Sequence, residues 1–227
     1  MIHQAVDAAR TTEQRFSMSY DEFQTCAEEG IHAEWVDGEM VVFMPPKTIH
    51  QHIVGFLYNL LSLYVSFFDL GTVLMAPFEM RARPDGPARE PDLLFIAPEH
   101  LDWLTTERLS GPADLIIEVV SDSSVARDRV DKFYEYQAIA VREYWIIDPR
   151  PGKERVDCYA LTAQGRFQAI IPDEQGRYHA TVLPRFWFRP DWFQQETFPN
   201  PVTILAEICG RAPAEIAALR ATFRGEQ

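Results

Sequence analysis

Asp92 and Glu118 are the side chains of this 227-residue sequence best placed to do chemistry. Asp92 directly precedes the apolar run Leu93–Ile96, and Glu118 sits inside the apolar run Ala113–Val120. A carboxylate taken out of water costs several kcal/mol unless a partner or a metal compensates it. Two such acids on neighbouring strands, with Lys132 on the segment that follows, point to a divalent-metal site. Mg²⁺ or Mn²⁺ would take carboxylate oxygens, keep several waters and leave positions for a phosphate oxygen. The backbone carbonyl of Val119 could add a further ligand. A plainer arrangement stays open, in which Asp92 caps a turn after Pro91 and Glu118 pairs with Arg127 or Arg129.

The elements that must position these residues form an α/β pattern. Asp92–Ile96 reads as a strand, and the run Ala113–Val120, apolar on both faces, as an interior strand. Ser121–Ser124 offers N-cap oxygens to a helix reaching Ala140, on which Asp128, Lys132 and Tyr136 share a face at i, i+4 and i+8. Arg142–Asp148 is a third strand, stopped by Pro149. Upstream, Ser19 caps a helix from Tyr20 to Glu29 that Gly30 closes. Ala33–Val36 and Met40–Phe43 flank Asp37-Gly38 as a hairpin. Ile53, Leu57, Leu60, Leu61, Tyr64 and Phe68 mark one long helix from Thr48 to Phe68, and Thr72–Arg83 reads as a strand.

Downstream, Asp157–Leu161, Phe167–Ile171 and Tyr178–Val182 resemble an antiparallel meander. The aromatic string Phe186–Phe193 packs under the sheet, and a helix covers Ala214–Phe223. The expected organisation is a polar lead-in over residues 1–18, one domain over 19–194 and a tail over 195–227.

Composition narrows the function. With 47% hydrophobic and 12% aromatic residues the chain can build a real core. A net charge of −13 argues against a basic nucleic-acid binder whose affinity comes from many lysine–phosphate contacts. It leaves room for a metal-dependent nuclease, in which bound cations offset clustered acids. Cys26, Cys158 and Cys209 have no paired spacing, so neither a disulfide framework nor a structural zinc site is indicated. No apolar leader and no membrane-length run is seen, which makes a cytoplasmic location the expectation. A Gly-rich phosphate loop and a nucleophile elbow are also missing.

In this order, Pro91-Asp92, Asp114-Leu115-x-x-Glu118-Val119-x-Ser121, Asp128-Arg129-x-x-Lys132-x-x-x-Tyr136 and Glu143-Tyr144-Trp145-x-x-Asp148-Pro149 resemble the Uma-two restriction endonuclease family of the PD-(D/E)XK nuclease superfamily. Glu34-x-x-Asp37-Gly38-Glu39 and His50 extend the likeness upstream, and it runs to about Trp192. The resemblance implies a restriction-endonuclease-like mixed central sheet flanked by helices. It makes Asp92 and Glu118 the acids of the superfamily signature. The signature lysine would fall two residues after the second acid, where this chain has Val120; Lys132 on the following helix is its substitute. The plainer reading of Lys132 is an i, i+4 ion pair with Asp128. The family's glycine before the Val-x-Glu-Tyr-Trp strand is replaced at Ala140, which should affect only the helix C-cap.

The function expected is a Mg²⁺- or Mn²⁺-dependent endonuclease hydrolysing DNA, with Asp92, Glu118 and Lys132 as catalytic residues and Asp92 and Glu118 as metal ligands. Glu39, His50 and Asp128 are secondary candidates. His50 and His52, one residue apart on a helix, do not make a zinc pair. A homodimer is the expected assembly for cutting both strands, with no membrane association. The competing reading is a nuclease-fold binding protein with little or no catalysis, motivated by the acidic surface and the missing lysine at position 120.

Overall fold

The computed structural model describes residues 13–27, 32–43, 45–195 and 197–225. The chain opens with β1 (Gln14–Ser17), α1 (Tyr20–Ala27), β2 (Ala33–Val36) and β3 (Glu39–Val42). Asp37 and Gly38 both take positive φ, 51° and 83°, as a tight two-residue hairpin turn requires. Ser19 and Glu22 cap α1 reciprocally: the Ser19 amide donates to Glu22 Oε2 at 2.7 Å and the Glu22 amide to Ser19 Oγ at 3.3 Å. The expected stop at Gly30 lies outside the described residues.

Residues 14–17, expected in a polar lead-in, instead pair antiparallel with β3 and complete the order β1-β3-β2. Phe16 is the strand's only large apolar side chain, too little for a sequence pattern to register.

In α2 (Thr48–Phe67) the expected apolar positions Ile53, Leu57, Leu60, Leu61 and Tyr64 are buried, while Phe68 lies just past the helix and is exposed. The single strand expected over residues 72–83 is two pieces. β4 (Thr72–Met75) pairs with β6 (Leu93–Ile96), whereas β5 (Glu79–Met80) pairs in parallel with β7 (Arg108–Leu109). The central sheet then adds β8 (Leu115–Val119), β9 (Glu143–Asp148), β10 (Arg155–Leu161) and β11 (Phe167–Ala169), in the order β11-β10-β9-β8-β6-β4.

Only β8 and β9 run parallel in that sheet, because the chain crosses between them through a helical segment: a π turn over Arg127–Asp131 and α3 (Lys132–Ala138). Every residue of β8 and β9 is buried, as covering on both faces demands. The pleat sorts their side chains. Leu115, Ile117, Val119, Trp145 and Ile147 join the core that contains the α2 side chains. Ile116, Tyr144 and Ile146 join Tyr136 on the other face. Period two therefore sends Glu118 to the face of Ile116, under Lys132.

Beyond β11, Tyr178–His179 (β12) pairs antiparallel with Trp187–Phe188 (β13) rather than with β11. Phe186 and Phe188 pack on Trp145, with ring centroids 6.2 and 4.6 Å away, so the aromatic string is core. This layer is fastened by Glu143, which is wholly buried. Its Oε1 accepts the Trp145 indole N–H at 2.6 Å, and its Oε2 accepts from the Thr181 amide at 2.6 Å, the Val182 amide at 3.1 Å and the Thr181 hydroxyl.

The tail holds two helices where one was expected. Asn200 Oδ1 caps the first, α4 (Pro201–Ile208), which buries Ile204, Leu205 and Ile208 against the α2 side of the core. The second, α5 (Pro213–Arg224), buries no residue. No helix of the described residues is long and apolar enough to cross a membrane.

Candidate active site

Asp92 and Glu118 come together at the end of β8, where Glu118 meets Lys132. Lys132 Nζ lies 2.6 Å from Glu118 Oε1 and 3.0 Å from Glu34 Oε1, and it is buried. Tyr136, one turn further along α3, donates its hydroxyl to the same Glu118 oxygen at 2.9 Å. Asp92 precedes β6 and is more open, its side chain 15% exposed. Its Oδ2 accepts the Val119 amide at 2.7 Å and faces His50 Nε2 at 3.1 Å. The plainer arrangement anticipated for Glu118, a pair with Arg127 or Arg129, does not form: Arg127 holds Glu13 and Arg129 holds Asp157 and Asp148.

Each of the two acids is thus held by one oxygen. Among the described residues the hydrogen bonds to Asp92 fall on Oδ2 and those to Glu118 on Oε1, leaving Oδ1 and Oε2 without a donor. In β8 an extended residue turns its N–H and C=O to the same strand edge, so the Val119 carbonyl lies on the edge its amide presents to Asp92. Two open carboxylate oxygens and a carbonyl are hard donors of the type a divalent cation prefers.

The charges agree. Glu34, Glu118 and Asp128 surround Lys132, Asp92 acts on Glu118 and Asp128, and Arg89 divides its guanidinium between Glu34, at 2.8 Å, and Glu135. Burial pushes the Glu118 carboxyl up to about 8, and Asp92, Asp128 and Glu34 add to the rise against the pull of Lys132. Burial likewise raises Asp128. Glu34 goes the other way: burial opposes its charge, but Lys132, Arg89 and Arg127 hold it down to about 2. Lys132 is raised, because Glu118, Glu34 and Asp128 outweigh the burial that disfavours its ammonium. The cluster carries more carboxylate than cation, and a divalent ion would relieve the surplus.

The secondary candidates separate. His50 sits in the first turn of α2 with Nε2 on Asp92 and, among the described residues, Nδ1 buried without a hydrogen-bond partner, so the structure brings it to the cluster. Asp128 is buried beside the cluster on the π turn, yet Lys132 does not ion-pair with it as the i, i+4 spacing suggested; the ammonium turns to Glu118 and Glu34. Glu39 ion-pairs with Arg15 at 3.3 Å on a partly open face of β3. His52 is exposed.

Sequence reasoning placed Glu34 in the family likeness but gave it no role at the site. The signal was present: Glu34 is an acid inside the strand Ala33–Val36, and the pleat that sends Ala33 and Trp35 to α1 sends Glu34 the opposite way, to Lys132.

Among the described residues the one group of three or more His, Cys, Asp or Glu donors within 4.8 Å is Glu99, His100 and Asp114. It lies at the opposite end of β8. Arg142 Nη1 already sits 2.9 Å from Asp114 Oδ1 and 3.3 Å from Glu99 Oε1, while Asp114 Oδ2 accepts the Ala97 amide at 2.7 Å. That group has its own cation and reads as a brace.

A family model described as "Uma2: Putative restriction endonuclease" matches residues 20–193. No curated protein matches the chain. Among solved structures, the chain is similar to one described as "a putative nuclease belonging to DUF820 from Anabaena variabilis", with a TM-score of 0.56 at 12% identity, covering 76% of this chain and 90% of the other. At that identity the likeness speaks for the fold alone.

Proposed function

This chain belongs to the Uma2 family, and from that premise we propose that it is a divalent-metal-dependent endonuclease hydrolysing phosphodiester bonds in DNA. The observation that carries the reading is the convergence of Asp92, Glu118 and Lys132, with one oxygen of each carboxylate left open. Asp92 and Glu118 would hold Mg²⁺ or Mn²⁺, with the Val119 carbonyl as a further ligand. Bound there, a hard cation supplies charge neutralisation at the attacked phosphate and a lowered pKa for a coordinated water.

The chain's own residues do the rest. The Val119 amide and His50 fix Asp92 through Oδ2 and leave Oδ1 to a ligand. Lys132 and Tyr136 do the same for Glu118 through Oε1. Lys132, held between two carboxylates, keeps its proton; its role is to stabilise developing negative charge and orient the attacking water, not to accept a proton. His50 Nδ1 is a buried group in need of a partner, which a water or a phosphate oxygen at the opening would provide.

Nicking of supercoiled plasmid with Mg²⁺, Mn²⁺ or EDTA tests the reading, run with wild type and Glu118→Gln. Metal-dependent nicking that the variant loses, together with a Mg²⁺-induced rise in melting temperature that the variant also loses, supports it. Cleavage by Glu118→Gln at the wild-type rate removes that residue from the mechanism. Metal binding without cleavage of any substrate favours the binding-protein alternative.

A further inference from the structure

Arg127 lies at the rim of the acid cluster, next to Asp128, with its guanidinium 4.3 Å from the Phe43 ring centre. Its Nη1 donates to Glu13 Oε2 at 2.5 Å, and Asp128 Oδ1 is 3.9 Å from Nε. Among the described residues Nε itself is buried without a hydrogen-bond partner. Two of the five donors of a guanidinium fork are thereby seen in different states, one spent on Glu13 and one unspent. Carboxylate and phosphate oxygens fit that fork in the same way.

The neighbouring cations are covered as well. Lys47, at the start of α2, holds Asp122 at 2.6 Å, and Arg15 holds Glu13 at 3.0 Å and Glu39 at 3.3 Å. In a chain of net charge −13, the cations near the opening are the ones a polyanion must find. Glu13 stands just outside β1, whose first register pair is Gln14 with Val42, so its side chain can leave without breaking a strand pairing.

Resting on the nuclease reading above, we propose that Arg127 binds a backbone phosphate of the nucleic-acid substrate, and that Glu13 fills that position in the free protein. Substrate binding then exchanges a carboxylate for a phosphate on the same guanidinium, and Glu13 sets a threshold that weak anions do not cross.

The test is equilibrium binding of a short fluorescein-labelled DNA duplex in EDTA, so that no cleavage intervenes, across Glu13→Gln, Arg127→Ala and the double variant. Glu13→Gln is expected to tighten binding roughly three- to tenfold by removing the competing carboxylate. Arg127→Ala is expected to weaken binding and reduce the salt dependence by about one phosphate's worth. In the Arg127→Ala background the Glu13→Gln gain should vanish. An equal gain in that background assigns the effect to Arg15 or to overall charge and overturns the proposal, as does an unchanged affinity of Glu13→Gln. Arg127→Lys, which keeps the charge, serves if the alanine variant melts early: it should retain part of the Glu13→Gln gain, and none retained counts against the exchange. If wild type and Glu13→Gln both fail to bind, the Arg127 role and the nucleic-acid reading fall together. Wild-type cleavage with no Glu13→Gln effect removes the Arg127 role alone.

Discussion

Lys132 Nζ rests 2.6 Å from Glu118 Oε1, fourteen residues away in the chain, with the crossover between two parallel strands in between. Glu34, from a separate small sheet, supplies the second carboxylate at 3.0 Å. Removing the ammonium leaves two buried acids facing each other. Lys132→Ala should therefore lower stability by about 3–5 kcal/mol as well as abolish nicking. Adding Glu34→Gln to Lys132→Ala should recover part of the stability in urea melts and none of the activity. Full recovery of activity would show that the lysine serves only the fold.

Acid should attack the protein through Glu34. Its folded pKa, about 2, lies below the ordinary 4.5, so its contribution is present above 4.5 and is lost as pH falls through that value towards 2. Thermal melts from pH 5 to about 2 should show wild type losing stability more steeply than Glu34→Gln, since that contribution is absent from the variant. Parallel curves would mean that Glu34 is not the group responsible.

Ala140 ends the helix of Lys132 with φ at 64°, in the left-handed region that strains any residue with a Cβ. The Val141 amide closes back on the Tyr136 carbonyl at 3.0 Å. Ala140→Gly should stabilise the protein by about 1 kcal/mol and leave cleavage unchanged, because the side chain is exposed and remote from the acids. A lower melting temperature would contradict this.

The two C-terminal helices should respond differently to truncation. Ending the chain after Gly210 removes only α5, which buries nothing, and should change stability by less than about 1 kcal/mol. Ending it after Pro199 also strips Ile204, Leu205 and Ile208 from the core, each worth about 1.5–3 kcal/mol, and should give a protein that melts early or does not fold. Circular dichroism melts of both truncations decide it.

The sequence made the central strands legible: β6, β8 and β9 lie within Asp92–Ile96, Ala113–Val120 and Arg142–Asp148, where the strands were expected. It also placed Asp128, Lys132 and Tyr136 on one buried face. Long-range partners escaped it. Nothing local says that Glu34 reaches Lys132, or that Arg89 holds Glu34, since those contacts exist only once a second sheet is stacked beside the first. β1 was hidden by having a single apolar side chain, and α4 by its eight-residue length, too short for a helical period to repeat. The π turn over Arg127–Asp131, with the Lys132 amide bonded to the Arg127 carbonyl, has no sequence signature of its own.

Glu143 gives the sheet an internal reference. It occupies the strand beside Glu118 and is as deeply buried, yet both of its oxygens accept, from four donors in all. Among the described residues, Glu118 Oε2 accepts from no donor. Two glutamates at the same depth are thus distinguished by occupancy. An ion that titrates into this protein meets only one of the two as an open donor, and the neighbour cannot compete without first letting go of the layer it fastens.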